Sequence, residues 1–581
     1  MMHTFPPART FMPKLSRRHF VQGLAGGAAL LSCPRRLVWG AAAGDGSVLV
    51  GPEFELTIGE TPVNYTGRHR TATAVNGRVP APLLRMRQGD TVTIRVTNRL
   101  RVRSSIHWHG FIVPADMDGV PGLSFAGIDA GSTFVYRFKV KQSGTYWYHS
   151  HSRFQEQTGL YGPVIIDPAG GERHLSDREY VLLLSDWSDA DPEWIYATLK
   201  RQSDYFNFGK RTVGNFFADA RARGLGEAIS DRGMWGRMRM DPTDLADVGG
   251  ATYTYLMNGV TPAGNWTGLF RRGERIRLRF INGSSMSFFD VRIPGLKLTV
   301  VAADGQDVEP VSVDEFRIGP AEVLDVIVIP SAEQPYTIFA QSMDRSGYAR
   351  GTLAPQPGMI AEVPPLEPRA LIGMQDMGMG HGEGMAHDMS EMPGMKPAEV
   401  TPPAAHFGPT VDAVATQTAA RLDDPGPGLR NNGRRALSYG DLRTLGGPID
   451  PRPPGRDIEL HLTGHMARFI WSFNGQKFSE AEPLRFAFGE RLRIVLVNDS
   501  MMTHPIHLHG MWSEVVAEDG TFLVRKHTVS VQPAQRLSYL VTADALGRWA
   551  YHCHLLYHME AGMFREVVVA QPPGAAGGED R

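Results

Sequence analysis

Residues 489–498 read Gly-Glu-Arg-Leu-Arg-Ile-Val-Leu-Val-Asn, and the same pattern occurs twice more in the chain. It returns as Gly-Asp-Thr-Val-Thr-Ile-Arg-Val-Thr-Asn at 89–98 and as Gly-Glu-Arg-Ile-Arg-Leu-Arg-Phe-Ile-Asn at 273–282. An Asn-Gly pair precedes each copy, and the apolar residues alternate with the period of a half-buried β-strand. A pattern that occurs three times indicates three copies of one structural unit, so the sequence predicts three equivalent β domains.

The predicted fold class is all-β, with three Greek-key β-sandwiches, because Gly and Pro punctuate Val-, Ile- and Thr-rich runs at short intervals. A chain of 581 residues suits about three or four domains of typical size. We place the domains at 46–170, 171–345 and 450–573. The charged and aromatic stretch 186–247 shows little alternation, and part of it is predicted to be helical.

Residues 346–450 break the repeat and are rich in Pro and Gly, which predicts a flexible linker or an insert before the third domain. Within this segment, residues 374–395 hold seven methionines around His381 and His387. Thioether sulfur is soft and selects Cu(I) over harder cations, so a metal-binding role stays open beside the linker interpretation.

Composition excludes few functions. The 60 basic and 61 acidic residues give a formal charge of -1, so neither sign is in excess to favour nucleic acid or an anionic membrane. The hydrophobic content of 42% is that of a folded globular protein.

The N-terminus resembles an export signal of the twin-arginine type, predicted to span residues 1–43. Ser16 to Phe20 match the pattern around Arg17 and Arg18, and the apolar run 21–31 precedes small residues at 41–43. That run is shorter than the roughly 20 residues that a membrane span requires, so we expect no stable membrane insertion. A soluble amphipathic leader is the alternative. Twin-arginine export predicts a periplasmic protein that folds, often with its cofactor, before transport.

The chain has two cysteines, and Cys33 lies within the predicted leader. The mature protein would keep Cys553 alone, which cannot form an internal disulfide and is exposed to oxidation in that compartment. We therefore expect its sulfur to bind a metal.

When the three repeats are aligned on their shared asparagine, paired histidines stand at matching positions in two of them. His107 follows Asn98 by nine residues and His507 follows Asn498 by nine, whereas the middle repeat has Val291 at this point. A second anchor, a glycine, precedes His-x-His pairs in the same two domains. The paired residues are His107, His109, His149, His151, His507, His509, His552 and His554. The middle domain is thus predicted to be a spacer.

On a strand, residues two apart share a face, so each pair should aim both imidazoles at one place. A single buried histidine is usually a hydrogen-bonded core residue, but four pairs in matched positions are not explained that way. Eight neutral imidazoles suit a cluster of three coppers.

Cys553 lies between two of these histidines, and strand alternation points it to the opposite face, toward a second site. Together with His504, His558 and Met563 it would provide two imidazoles, one thiolate and a weak axial thioether. That is the ligand set of a blue copper centre. Met563 could instead fill the sandwich core. The first domain has no such ligands at the matching positions, which are Ser104, Ser150, Gln155 and Leu160.

These residues resemble the multicopper oxidase family, and in particular its CopA-type copper-resistance branch. The family's four ligand motifs stand in their usual order, as His-Trp-His-Gly at 107–110, Tyr-His-Ser-His at 148–151, His-Pro-Ile-His-Leu-His-Gly at 504–510 and His-Cys-His-Leu-Leu-Tyr-His at 552–558. The branch resemblance rests on residues 105–125, 202–205 and 257–262 and on Met-Gly-Met at 377–379. It covers nearly the whole chain and implies three cupredoxin domains.

The resemblance implies four coppers per chain. His504, Cys553, His558 and Met563 would bind the type-1 copper, and His107 and His507 the type-2 copper. One type-3 copper would take His109, His149 and His554, and the other His151, His509 and His552.

It also implies an enzyme that takes single electrons from Cu(I), or from a phenol or similar small reductant, and reduces O2 to water. Asp118 resembles the family's acid near the type-2 copper and could relay protons, although Asp-Gly is equally a turn pair. Glu560 is a second candidate acid. The position after His558, acidic in some copper-exporting relatives of the family, is Met559 here. The alternative function is a periplasmic copper-binding protein with incidental oxidase activity. Other copper-resistance proteins stay open as partners.

Overall fold

The computed structural model describes residues 47–238, 240–378 and 409–572, together with the backbone of Ala398 and Glu399. The predicted signal peptide and most of the methionine-rich tract lie outside the described residues. Among the described residues, no helix is both long and apolar enough to cross a bilayer.

The first domain is a sandwich of a five-stranded sheet, in the order β1-β4-β9-β8-β6, and a four-stranded sheet, in the order β3-β2-β5-β7. Its strands are β1 (Val48–Val50), β2 (Glu53–Val63), β3 (Arg70–Val75), β4 (Leu83–Arg87), β5 (Thr91–Asn98), β6 (His107–His109), β7 (Thr133–Lys139), β8 (Gly144–His149) and β9 (Tyr161–Asp167). A 3-10 turn, Ala115–Met117, follows β6.

The second domain pairs a six-stranded sheet, β11-β10-β13-β18-β15-β16, with a five-stranded sheet, β12-β20-β19-β14-β17. Its strands are β10 (Arg178–Trp187), β11 (Thr254–Met257), β12 (Trp266–Leu269), β13 (Ile276–Asn282), β14 (Phe289–Arg292), β15 (Leu298–Ala303), β16 (Gln306–Val313), β17 (Glu315–Ile318), β18 (Val323–Val328), β19 (Tyr336–Ser342) and β20 (Tyr348–Ala354). Helices α1 (Pro192–Arg201), α2 (Val213–Arg223) and α3 (Leu225–Met238) lie in the stretch predicted to be partly helical.

The third domain repeats the strand order of the second, with sheets β24-β23-β26-β31-β28-β29 and β25-β33-β32-β27-β30. Its strands are β23 (Arg456–His465), β24 (Ile470–Phe473), β25 (Leu484–Ala487), β26 (Arg491–Asn498), β27 (His504–Leu508), β28 (Ser513–Val516), β29 (Phe522–Lys526), β30 (Thr528–Val531), β31 (Arg536–Thr542), β32 (Gly547–Cys553) and β33 (Phe564–Ala570). Helix α4 (Leu556–Glu560) follows β32, and a short ladder of β21 (Ala398–Glu399) and β22 (Gln417–Thr418) precedes the domain.

The asparagine at the end of each repeat makes equivalent hydrogen bonds in all three domains, which explains why it recurs. The side chain of Asn98 donates to the carbonyls of Val102 and Ile128, and Asn498 donates to those of Met502 and Val531. Asn282 makes the equivalent pair of bonds in the second domain. Each amide therefore satisfies two backbone carbonyls at the equivalent point of its domain.

The segment 346–450 is more ordered than its composition predicts. β20 extends the second sandwich beyond residue 345, and Ile372, Met377, Leu429 and Leu442 are buried. Backbone bonds then join the segment to both neighbours, from Leu437 N to Glu315 O and from Thr444 N to Leu523 O. For the described part of the segment, contacts with two preformed sandwiches supply the core that the segment itself lacks, which favours the insert over the flexible linker.

Candidate metal centres

The eight paired histidines meet between the first and third domains. In the first domain His107 of β6 lies opposite His149 of β8, and in the third His507 of β27 lies opposite His552 of β32. The two sheets present these cross-strand pairs to each other, and the rings of His109 and His507 stack with centroids 3.9 Å apart. We call these eight residues the histidine cluster.

Ligand nitrogens within the cluster approach in three groups, each with its atoms within 4.8 Å of one another. The groups are His107, His109 and His507; His109, His149 and His554; and His151, His509 and His552. The second and third groups are the sets expected for the two type-3 coppers, and the first contains the pair expected for type 2. The structure therefore brings together every histidine that the sequence analysis paired.

The imidazoles of the cluster are suited to bind cations. Burial lowers the pKa of His109, His149 and His509 well below the ordinary value, and neighbouring imidazoles lower it further. For His552 burial lowers the pKa to about 4. Nitrogens such as His107 Nε2, His151 Nε2 and His507 Nε2 are buried with no hydrogen-bond partner among the described residues. Neutral rings with unpaired nitrogens facing a common space fit a metal cluster.

Strand alternation accounts for only one of the four His-x-His pairs. Both members of the first pair lie within β6, but His151, His509 and His554 follow the last residues of β8, β27 and β32. Convergence there depends on the turns after the strands. For example, the His554 N–H donates to the carbonyl of Pro505 on β27, which holds this turn beside its neighbour strand.

Cys553 forms a second site on the other side of β32. Its Sγ lies 3.5 Å from His504 Nδ1 and 4.0 Å from His558 Nδ1, and the two nitrogens are 3.2 Å apart. Met563 is buried beside them, and its carbonyl accepts a hydrogen bond from the Cys553 N–H. We call His504, Cys553 and His558 the cysteine site.

Chemistry at the cysteine site also fits a metal. Burial raises the pKa of the Cys553 thiol well above its usual range, so a thiolate there needs a bound cation. The other ring nitrogens are already engaged, since His504 Nε2 lies 2.6 Å from Ser500 Oγ and His558 Nε2 lies 2.7 Å from Asp247 Oδ2. Both Nδ1 atoms therefore stay directed at the sulfur.

The corresponding place in the first domain is a hydrogen-bonded core. Ser104 Oγ and Ser150 Oγ both donate to Gln155 Oε1, at 2.6 and 2.9 Å, and Leu160 is buried. These contacts satisfy the polar groups internally.

The two candidate acids have different surroundings. Asp118 is buried against the cluster, where its carbonyl accepts from His107 Nδ1 at 2.7 Å and its Oδ2 lies 2.9 Å from His509 Nδ1. Glu560, in contrast, pairs with Arg153 near the surface, and no described contact joins its carboxylate to a histidine of the cluster. The geometry therefore supports Asp118 and not Glu560 as the acid at the cluster.

Several residues that contact the predicted ligands were not found from the sequence. Asp247 bonds His558, Glu156 Oε2 lies 2.5 Å from His149 Nδ1, and Thr528 Oγ1 lies 3.0 Å from His109 Nε2. Glu156 follows the second histidine motif closely, which was an available signal. Asp247 and Thr528 reach their partners across domains, so no spacing marks them.

Asp247 also belongs to a small pocket beside His558. Asp204, Asp244, Met466 and Met502 line it too. We call it the acidic-methionine pocket. The pocket combines carboxylates with methionine side chains, and it lies beside the edge of the His558 ring that bonds Asp247.

Comparisons with known proteins agree with this geometry. Family models described as multicopper oxidase match residues 57–170, 178–357 and 451–573. Copper resistance protein A of Pseudomonas syringae pv. tomato is 56% identical, over 96% of this chain and 100% of the relative. A copper resistance protein A of Escherichia coli is similar to the same extent, at 56% identity over 96% of this chain and 100% of the relative. The crystal structure of Fet3p, a multicopper oxidase that functions in iron import, has a TM-score of 0.62 at 19% identity over 90% of each chain.

Proposed function

The chain belongs to the multicopper oxidase family, and we propose that it oxidises Cu(I) in the periplasm and passes the electrons to O2, in the service of copper resistance. The single observation that carries this proposal is the position of Cys553. Its sulfur faces one ligand set while its neighbours on either side, His552 and His554, belong to the other. A chain that only stored copper would have no need of that connection.

The family implies copper, and the residues present fit four ions per chain. The cysteine site with Met563 would hold the type-1 ion, His107 and His507 the type-2 ion, and the remaining six cluster histidines the type-3 pair. When bound, copper supplies one-electron transfer at the first site and reduction of O2 at the cluster. The protein positions the ligands, through Asp118, Asp247, Ser500 and Thr528, and excludes water from the thiolate.

The acidic-methionine pocket supports Cu(I) as the reductant. Burial raises the pKa of Asp247 to about 8 and that of Asp244 to about 6, so a cation that enters the pocket would take the place of a proton there. The soft thioethers of Met466 and Met502 favour Cu(I) over harder ions. An ion in this pocket would stand next to Asp247, whose carboxylate contacts His558 directly. The pocket is thus one hydrogen bond from the site that accepts electrons.

Residues outside the described range support the same function by composition. The twin-arginine pattern at residues 16–20 supports periplasmic export, and Met379, Met385, Met389, Met392 and Met395 provide further thioethers. The part of the tract outside the described range follows Gly378, whose neighbour Met377 is buried in the core.

The test is O2 consumption by the copper-loaded protein with Cu(I) and with a phenol, beside the copper content per chain. We expect Met466→Leu and Met502→Leu together to slow Cu(I) oxidation about tenfold and phenol oxidation less than twofold, because only Cu(I) needs the thioethers. Met511→Leu, at a buried methionine outside the pocket, is the matched control.

Deletion of residues 379–395, which leaves Met377 in place, tests the tract through the ratio of Cu(I) oxidation to phenol oxidation. Equal loss with both donors would assign the methionines a structural role. Copper binding without O2 consumption by any donor would favour the sequestering function instead.

A further inference from the structure

Trp471 lies against the cysteine site without belonging to its ligand set. It stands in β24 and is fully buried. Its indole stacks on the His558 imidazole, with ring centroids 3.9 Å apart and ring planes inclined by 22°. It also meets the His504 ring edge to face, with centroids 5.1 Å apart. One side chain therefore contacts both imidazoles whose Nδ1 atoms face the Cys553 sulfur.

The repeat shows that this tryptophan is specific to the domain with the cysteine site. Three residues before the Asn-Gly pair, the first domain has Thr73 and the second has Tyr255, where the third has Trp471. Thr73 Oγ1 lies 2.8 Å from Thr158 Oγ1, and the Tyr255 hydroxyl lies 3.3 Å from Ser346 Oγ. Trp471 Nε1, in contrast, is buried with no hydrogen-bond partner among the described residues. Contacts with the imidazoles, and not a hydrogen bond, thus account for an indole at this position.

The neighbouring strand leaves room for the indole. Gly464 of β23 lies opposite Trp471 in the ladder, and a Cβ at Gly464 would lie 2.5 Å from Trp471 Cζ3. A glycine inside a strand often marks such a close approach, because any larger residue would displace the ring. The indole thus packs on the Gly464 backbone as well as on the His558 ring.

The turn before Trp471 has a strained backbone conformation. Phe469 is buried and has φ 49° and ψ 52°, in the left-handed region that bulky residues rarely adopt. Lys200 Nζ of α1 donates to the Phe469 carbonyl at 2.8 Å, and the Phe469 ring lies 5.8 Å from that of His558. Such strain persists where the surrounding structure imposes it, and it is common at functional sites. The turn therefore brings a second aromatic ring to His558 directly before Trp471.

We propose that Trp471 is a positioning residue that raises the reduction potential of the cysteine site, so that the site takes an electron from its donor more readily. The inference rests on the proposed function for one point, the assignment of a type-1 copper to this site. Each transfer removes one electron from the donor and adds one to the site, and no proton moves and no bond is broken. The charge of the loaded site therefore falls by one when it is reduced.

The indole favours the reduced site in two ways. It covers imidazoles that are fully buried, and surroundings of low polarity that exclude water disfavour the more highly charged, oxidised form. It also fixes the rotation of the His558 ring, which Asp247 holds only at Nε2. A ring held at its face and at its edge cannot turn toward the tetragonal arrangement that Cu(II) prefers.

The test compares Trp471→Leu and Trp471→Phe with the unaltered protein, all copper-loaded and titrated without O2 against mediators of known potential. Leucine removes the stacked ring, whereas phenylalanine keeps part of it and is the conservative replacement. Trp549→Leu is the matched control. Trp549 is a fully buried indole of the same domain, and a hydrogen bond from Nε1 to the Ala545 carbonyl holds it at 2.9 Å.

We expect Trp471→Leu to shift the equilibrium between the reduced and oxidised site about tenfold toward the oxidised form. For one electron this lowers the potential by about 59 mV. Trp471→Phe should shift the same equilibrium about threefold, and Trp549→Leu should leave it unchanged while lowering the unfolding temperature. The blue band and the EPR spectrum of the oxidised protein should change in Trp471→Leu, because the His558 ring is free to turn.

An unchanged potential in Trp471→Leu, beside a lowered unfolding temperature, would make Trp471 a core residue only and overturn the inference. If leucine prevents folding, Trp471→Phe decides in its place, and a potential equal to that of the unaltered protein would have the same meaning. Crystal structures of the copper-free proteins give a readout without the metal. We expect the His558 ring of the variant to be rotated or to have water beside it, and an unmoved, dry ring would also overturn the inference.

These measurements use neither O2 nor Cu(I) as donor, so failure of the proposed function is recognised separately. A protein that shows the expected shift but consumes no O2 would contradict the proposed function and leave the role of Trp471 in place. Full O2 consumption with equal potentials in all variants would contradict the role of Trp471 alone. A cysteine site that binds no copper would contradict both.

Discussion

At the scale of the residue, Cys553 is the side chain on which the most chemistry depends. It is the one cysteine among the described residues, it is fully buried, and two imidazole nitrogens face its sulfur. Burial keeps the free thiol protonated, so only a tightly bound cation can hold it as thiolate.

Replacing Cys553 with Ser should abolish the intense blue absorption, because a hydroxyl does not provide the thiolate-to-copper charge transfer. The histidine cluster uses none of the sulfur, so we expect about three coppers per chain to remain of about four. Absorption spectra and metal analysis on the same sample check both statements. A variant that stays blue would remove Cys553 from the site.

At the scale of the element, the loop after β6 holds Asp118 against the cluster, and Gly119 makes this possible. Gly119 has φ +88°, and a Cβ there would lie 1.9 Å from the carbonyl oxygen of Ile106. Only glycine lets the backbone approach the strand this closely while Asp118 reaches His107 and His509.

We expect Gly119→Ala to displace this turn, to destabilise the protein by about 1–3 kcal/mol and to lower the copper content of the cluster. Gly122→Ala is the matched control, because Gly122 also has positive φ but a Cβ there meets nothing within 4 Å. Thermal unfolding and metal analysis of both variants separate backbone strain from the clash. Equal effects of the two substitutions would mean that the approach to Ile106 is unimportant.

At the scale of the whole molecule, the first two domains are joined by charges that neither could bury alone. Glu179 bonds Arg279 at 2.8 Å and Arg85 of the first domain at 2.8 Å, and Arg279 also reaches Asp325. Burial raises the pKa of Glu179, but Arg279 and Arg85 outweigh it and lower the pKa to about 2. The interface therefore depends on an ionised carboxylate.

A folded-state pKa below the unfolded value of 4.5 means that Glu179 contributes stability above pH 4.5 and loses it as pH falls through 2. We expect Glu179→Gln to cost about 3 kcal/mol at pH 7, with the difference shrinking as pH falls toward 2. Urea unfolding across this range measures it. Glu53→Gln, in an exposed pair with Arg95, should change little, and a pH-independent loss at Glu179 would point to packing rather than charge.

The strand repeats, the all-β class and the grouping of the eight paired histidines could be predicted from the sequence. The strand repeats and the fold class depend on turns such as Asn474-Gly475 and on a pattern that occurs three times. The histidine pairs depend on short spacings that recur in two of the three copies. Patterns of this kind lie in the sequence itself, so they can be recognised from residue spacing alone.

The tertiary structure alone decided the rest. Asp247 meets His558 from 311 residues away, and Thr528 meets His109 from 419 residues away, so neither contact leaves a pattern in the chain. The burial of Met377 and the ion pair between Glu560 and Arg153 likewise leave no pattern in the sequence. Such contacts depend on how three sandwiches pack against one another, and packing responds to shape and charge at surfaces that are distant in sequence.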